Sequence, residues 1–198
     1  MKIRNLVMIL TLGVATISCA ESPKQEAKTN YADLTKQYAK VQLTSDISHL
    51  SDNEKQMLDY LYEIGNIMDD IFWTQQFGGD KEAFLNSIED KDARLFAEIN
   101  YGPWNHFDNL NPFLPEYGAM PAGAGFYPTD MTKEEFEAWD NPDKTSLYTL
   151  IKRDENGKLQ AVWYHEAYAE QINRVAELLN KAADLAGDKE FADYLRLR

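Results

Sequence analysis

Residues 52–79 read DNEKQMLDYLYEIGNIMDDIFWTQQFGG. Within them Met57, Leu58, Leu61, Ile64, Ile67, Met68, Ile71 and Phe72 recur at steps of three and four residues, the spacing of one face of an α-helix. The pattern predicts an amphipathic helix of about 20 residues from Asp52, with a wide apolar stripe and a stop at Gly78-Gly79. Working outward, Asp80-Lys81-Glu82 opens a second helical stretch with Phe84, Leu85 and Ile88 on one face. A third runs from Asp90 to about Tyr101, with Leu95, Phe96 and Ile99 inward, and Gly102-Pro103 ends it.

Residues 102–129 hold Pro103, Pro112, Pro115, Pro121 and Pro128 among four glycines. Neither a helix nor a central strand can run through such a segment. Its rings, Trp104, Phe107, Phe113, Tyr117, Phe126 and Tyr127, have no reason to sit in a solvated linker, so the loop is expected to be ordered. Two roles fit it: wrapping a core, or walling a binding cleft with Gly123-Ala124-Gly125 as a flexible turn beside Phe126 and Tyr127.

Thr129 and Asp130 read as caps of a short helix, and Thr132 with Glu135 as a capping box before Phe136 and Trp139. A β-hairpin at about 146–164 follows from the alternation of Leu147, Thr149 and Ile151 with Tyr148, Leu150 and Lys152, a turn at Asp154-Glu155-Asn156-Gly157, and a return through Leu159, Ala161 and Trp163. From Glu166 an amphipathic helix carries Tyr168, Ile172, Val175, Leu178, Leu179, Ala182 and Leu185 to Gly187. Asp188 starts another with Phe191, Tyr194 and Leu195. That pattern is still in phase at Leu197 and Arg198, without a capping glycine or proline, so the lobe is expected to be incomplete there. The fold class is mainly α with a β-hairpin, an α+β arrangement.

Composition sets bounds on function. The 198 residues include 44% hydrophobic ones, enough for a real core. With 20 Lys and Arg against 33 Asp and Glu the net charge is -13, which repels a nucleic-acid backbone and removes nucleic acid as a default partner. One cysteine, Cys19, and three histidines exclude an intrachain disulfide and a zinc site of several thiolates.

The start of the chain reads as an address. Lys2 and Arg4 precede an apolar run from Leu6 to Ile17, too short to span a bilayer and suited to a secretory signal over residues 1–18. The ending Thr16-Ile17-Ser18-Cys19 resembles the lipobox of bacterial lipoproteins, in which the cysteine becomes the lipidated first residue; an ordinary cleaved signal or a buried cysteine are the alternatives. Ala20 in place of Asp resembles the sorting pattern that favours the outer membrane. The mature chain would carry a net charge of -15, so only the acyl chains would hold it to the membrane. Residues 19–44 are polar and read as a lipid-anchored linker with a short helix, leading to a lobe over 45–198.

Few constellations carry chemistry. His165-Glu166 begins like His-Glu-x-x-His, but Ala169 occupies the place of the second histidine, and His49 and His106 lie in other segments. Asp69 and Asp70 are adjacent on a helix, so their carboxyls diverge by about 100° and cannot converge on one cleft. There is no Gly-x-Ser-x-Gly elbow and no glycine-rich phosphate loop with its lysine. No catalytic or metal residue is therefore assigned within the chain. The candidate substrate-cleft or lobe contacts are Trp104, Phe126, Tyr127 and Asp130.

The order of segments carries more. Asp59-Tyr60-Leu61-Tyr62-Glu63-Ile64-Gly65-Asn66-Ile67-Met68-Asp69-Asp70-Ile71-Phe72, then Ile99-Asn100-Tyr101-Gly102-Pro103-Trp104, then Gly123 to Met131 with Glu135-Phe136, resemble the start of the dipeptidyl-peptidase III family of zinc metallopeptidases. The closest subgroup is the one also found fused behind a Nudix domain. The Tyr164-His165-Glu166 turn and the final helix through Tyr194-Leu195-Arg196 continue in the expected order, so the resemblance covers about residues 50–198. It implies the N-terminal part of a longer, two-lobed peptidase with zinc in the full-length protein and a peptide substrate. The zinc motif and the C-terminal lobe would lie downstream, leaving this chain alone inactive and without metal. A self-contained lipoprotein binding module using the aromatic loop 102–129 is the alternative.

Overall fold

The computed structural model describes residues 29–198. The signal and lipobox readings, including Cys19, lie outside those residues. The elements are α1 (Tyr31–Thr35), α2 (Asp52–Phe77), α3 (Lys81–Ser87), α4 (Lys91–Asn100), β1 (Trp104–Asn105), β2 (Asn111–Pro112), α5 (Lys133–Ala138), β3 (Thr149–Arg153), β4 (Leu159–Trp163), α6 (Tyr164–Ala167), α7 (Ala169–Leu185) and α8 (Lys189–Arg196). No helix among them is long and apolar enough to cross a membrane.

The helix at 52–79 runs to 26 residues, longer than its apolar pattern predicts. Its first turn is held by a capping box that the pattern did not require: the Ser51 side chain accepts from the Glu54 amide, and the Glu54 carboxylate accepts from the Ser51 amide at 2.8 Å. Gly78, in the left-handed conformation, returns its amide to the Thr74 carbonyl and ends it as expected. Asp80 and Asp90 cap α3 and α4 through their carboxylates. Tyr101 rather than a glycine takes the left-handed position after α4, at φ 53°. That conformation is disfavoured for a bulky residue. The Tyr101 hydroxyl donates to Asp69 Oδ1 at 2.6 Å and its ring meets Phe72 edge-on at 4.7 Å, which fixes it there.

Three apolar clusters hang on α2. Trp73 packs with Phe84, Leu85, Ile88, Phe96 and Phe113 from α3, α4 and the loop; Ile71 with Leu150 and Tyr168; and the N-terminal half, through Met57, Tyr60 and Leu61, with Ala182, Ala183 and Leu195 of α7 and α8. Within the stretch read as a linker, α1 is the expected short helix, and it docks: Tyr31, Leu34 and Tyr38 pack on the Phe96 cluster, and Tyr38 donates to Asn100 Oδ1 at 3.3 Å. Residues 39–49 are exposed.

The hairpin is antiparallel, with Thr149 opposite Trp163 and Arg153 opposite Leu159. Its turn is wired by Asp154, whose Oδ1 accepts from the Asn156 and Lys158 amides. Burial does not alternate along β3, because Thr149, Leu150 and Ile151 are all covered. The single helix expected from Glu166 is two, α6 and α7, broken at Tyr168 with φ −120° and ψ 32°. The Tyr168 ring is buried under α2, which sets the break. Its hydroxyl has no hydrogen-bond partner among the described residues, and burial pushes its pKa up.

Phe96 is fully buried between Tyr38 and Phe113. Phe96→Ala is expected to cost about 3–5 kcal/mol, read as a lowered urea midpoint with an unchanged slope.

Candidate functional site

The 102–129 loop is not without ladder: β1 and β2 pair antiparallel, Trp104 opposite Pro112. Two glycines then decide its course. Gly123 has φ +80°, and a Cβ there would run into the Tyr127 ring; a Cβ at Gly125 would meet the Thr74 carbonyl oxygen. The 3₁₀ turn Ala124–Phe126 therefore lies directly on the last turn of α2. The run expected to be a flexible turn is a packed one.

From that turn the chain rises into a ridge, Tyr127-Pro128-Thr129, with a hollow on each side. One, of about 400 Å³, is closed by Pro121, Gly123, Met131 and Phe136. The other, of about 370 Å³, faces Ile151, Lys152 and Arg153 of β3. Tyr127 stands edge-on to Phe136, ring centroids 6.0 Å apart. The first hollow is largely apolar and of a size for one or two side chains or a small ring system.

The ridge is braced by a residue that sequence reading did not single out. Arg153 Nε donates to Asp130 Oδ2 at 2.8 Å, its two terminal nitrogens donate to the two Glu135 oxygens at 2.8 Å each, and one also donates to the Gly157 carbonyl at 2.7 Å. Such a fork-on-fork pairing holds direction as well as charge. Asp130 is thus a ligand of Arg153 and not a helix cap. The capping box at Thr132 is half made: Thr132 accepts from the Glu135 amide, while the Glu135 carboxylate is drawn to Arg153. The guanidinium holds that carboxyl below the usual range. Lys144 closes the other end of α5, donating to the carbonyls of Phe136, Glu137 and Trp139. Two acidic residues beside a proline-aromatic run, with the next basic strand end at Arg153, were the signal available for this hub.

Of the four candidate contacts, Tyr127 and Asp130 line the hollows. Trp104 is 5% exposed and donates its indole N–H to the Gly118 carbonyl at 3.0 Å, so it belongs to the packing under the loop. Phe126 is half-buried against Ile71, Leu150 and Tyr168. Asp69 and Asp70 brace α2 to its neighbours, Asp70 through Lys81 at 2.6 Å and Asp69 through Tyr101, whose hydroxyl is pushed up to about 12 by that hydrogen bond and by burial. His165 Nε2 lies 4.0 Å from Glu166, both exposed. Among the described residues no group of three or more His, Cys, Asp or Glu side chains is placed to hold a metal ion. Asp130 and Glu135 are both engaged by Arg153, so the two carboxylates brace the ridge.

No family model matches the chain. Among solved structures, a dipeptidyl-peptidase III from Caldithrix abyssi is 34% identical and superposes with a TM-score of 0.75 over 84% of this chain and 34% of its own. A dipeptidyl-peptidase III from Corallococcus sp. strain EGB is 27% identical, with a TM-score of 0.76 over 85% of this chain and 34% of its own. Nudix hydrolase 3 of Arabidopsis thaliana is 26% identical over 219 positions, 80% of this chain and 28% of its own. The chain spans about a third of the length of these relatives. Its likeness to dipeptidyl-peptidase III holds in structure as in sequence, the α+β fold matching about a third of each of those larger structures, and a Nudix hydrolase is among its sequence relatives.

Two outcomes follow from the ridge. Gly125→Ala must push the turn off the Thr74 carbonyl and is expected to cost about 1–3 kcal/mol, measured by urea unfolding. Glu135 titrates below its ordinary value, so its pairing is fully present at neutral pH and is lost only as pH falls through the lowered folded value. The stability advantage of the native chain over Arg153→Gln is therefore expected to be constant from pH 7 to 5 and to shrink on further acidification. An advantage that grows toward low pH would contradict the assignment.

Proposed function

We propose that the chain is the N-terminal portion of an exported, lipid-anchored peptidase of dipeptidyl-peptidase III type that acts on peptides. Its zinc motif and second lobe lie outside these 198 residues. What carries the reading is the match to two dipeptidyl-peptidase III structures, at TM-scores of 0.75 and 0.76, over most of this chain and about a third of theirs. The residues present do not fit a resident zinc: no His-Glu-x-x-His occurs in the sequence, and among the described residues Glu135, Asp70 and Asp69 are engaged by Arg153, Lys81 and Tyr101. The part played by this chain is accordingly structural and positional. Its ridge at Tyr127 supplies aromatic surface, and its helices present a wall to the remaining lobe.

One face is suited to that wall. Along α2, Leu58, Tyr62, Gly65, Met68 and Phe72 follow at helical steps. Tyr62 is 74% exposed, Met68 and Phe72 are close to half exposed, and Gly65 has open space where a Cβ would stand. A stripe of this kind, with a glycine at its centre that lets another backbone approach, is suited to a further helix.

The test is to replace the matched third of the Caldithrix abyssi protein with this chain. The chimera is expected to fold, to hold zinc and to release dipeptides from peptide substrates within about 100-fold of the parent, a loss below ~3 kcal/mol in transition-state stabilisation. This chain alone is expected to fold, but neither to hold zinc nor to release dipeptides. Tyr62→Lys with Met68→Lys should disable the chimera while leaving the isolated chain about as stable as before. A folded, zinc-loaded chimera with no dipeptide release, or one tight zinc bound by the isolated chain, would defeat the proposal.

A further inference from the structure

A hollow of about 620 Å³ lies between α1 and α4, lined by Tyr38, Ala39, Leu95 and Ile99 together with Lys36 and Lys40. It is apolar within, and its charged lining residues are both lysines, Lys36 being paired with Asp33 at 2.6 Å. From Lys40 the chain continues without regular structure and leaves apolar side chains in the open: Val41 is 70% exposed, Leu43 92% and Ile47 44%, beside Leu95 at 45%. Leu95 lines the hollow and Val41 directly follows its lining residue Lys40, so exposed aliphatic side chains adjoin the apolar surface from both elements.

Charge distinguishes this end of the molecule from the rest. Residues 19–40 carry four lysines against three acidic residues, whereas residues 41–198 carry fourteen basic against thirty acidic ones, a net of −16. A body of that sign is repelled by an anionic surface, and the short lysine-bearing segment is not. The same segment starts at Cys19. Eleven residues separate that cysteine from Tyr31, at most about 40 Å of extended chain, so a membrane holding Cys19 is within reach of the hollow.

We propose that the α1–α4 hollow and the exposed segment after it form a face that rests on a lipid surface. Val41, Leu43 and Leu95 enter the boundary between headgroups and acyl chains, and Lys36 and Lys40 face the phosphates. The proposal rests on the Cys19 anchor of the preceding reading. It adds that the anchor is not a free leash: the acyl chains hold the protein to the membrane, and a second, partly apolar and partly cationic contact sets which side of the body faces it. The acidic body, including the ridge at Tyr127, is then turned away from the headgroups.

The test couples the chain from Cys19 onward, through that thiol, to a maleimide lipid in vesicles of phosphatidylethanolamine and phosphatidylglycerol, and compares amide hydrogen exchange with that of the free chain. Peptides spanning 36–47 and 92–99 are expected to exchange about threefold more slowly or less on the vesicles, and those of α7 to be unchanged. Val41→Asp with Leu95→Asp, both at exposed positions, should abolish the slowing and leave α7 as it was. Neutral phosphatidylcholine vesicles should give a smaller effect. No slowing on anionic vesicles, or equal slowing in the double variant, overturns the proposal. The mass of Cys19 in the expressed precursor separately reports natural acylation; its absence removes the anchor, while the coupled chain still reports on the face.

Discussion

Each of the three apolar clusters takes side chains from α2. Met57 and Leu61 serve the α7–α8 cluster, Ile71 the hairpin cluster, and Trp73 with Phe77 the aromatic one. A helix of 26 residues is about 39 Å long, and nothing else in the described chain extends through all three. The small cores do not share an interior, so their relative positions depend on α2 remaining straight and continuous. The capping box at Ser51 and the left-handed stop at Gly78 therefore matter beyond the few tenths to two kcal/mol such caps contribute locally. They define the two ends of the part to which everything else is fitted.

The loop side shows the same dependence at closer range. The Ala124–Phe126 turn lies on the Thr74 and Gln75 carbonyls because Gly125 has no Cβ, and the ridge at Tyr127 takes its height from that contact. Arg153 then ties the far side of the ridge to the hairpin with charge-assisted hydrogen bonds to Asp130 and Glu135. Backbone contact fixes one edge of the two hollows and an ion-paired hub the other. The hollows are as rigid as these two attachments.

Much of this was legible in the sequence because it rests on short-range rules. The stop at Gly78, the helix starts at Asp80 and Asp90, and the hairpin around Gly157 follow from periodicity and turn chemistry. The misreadings have a common cause, which is a partner distant in the chain. Glu135 leaves its capping box for Arg153, 18 residues away, and Tyr168 interrupts a regular helical pattern because α2 covers its ring. Trp104 looked like a cleft residue by composition, and a hydrogen bond to Gly118 makes it an interior one. The docking of α1 through Tyr31 and Tyr38 was hidden for a similar reason. Two tyrosines in a polar stretch carry no local mark of the Phe96 cluster they pack against.

The pairing of α2 with α7 also sets a schedule. Glu63 on α2 meets Arg174 on α7, its Oε1 accepting at 2.6 Å, across 111 residues of sequence. At about 5–20 residues per second, synthesis takes roughly 6–22 s to bring the second helix out after the first. Throughout that interval the face of α2 that α7 will cover has no native partner, and closing so long a loop is slow even once α7 exists. The helix that organises the finished structure thus keeps one face uncovered until α7 has been made.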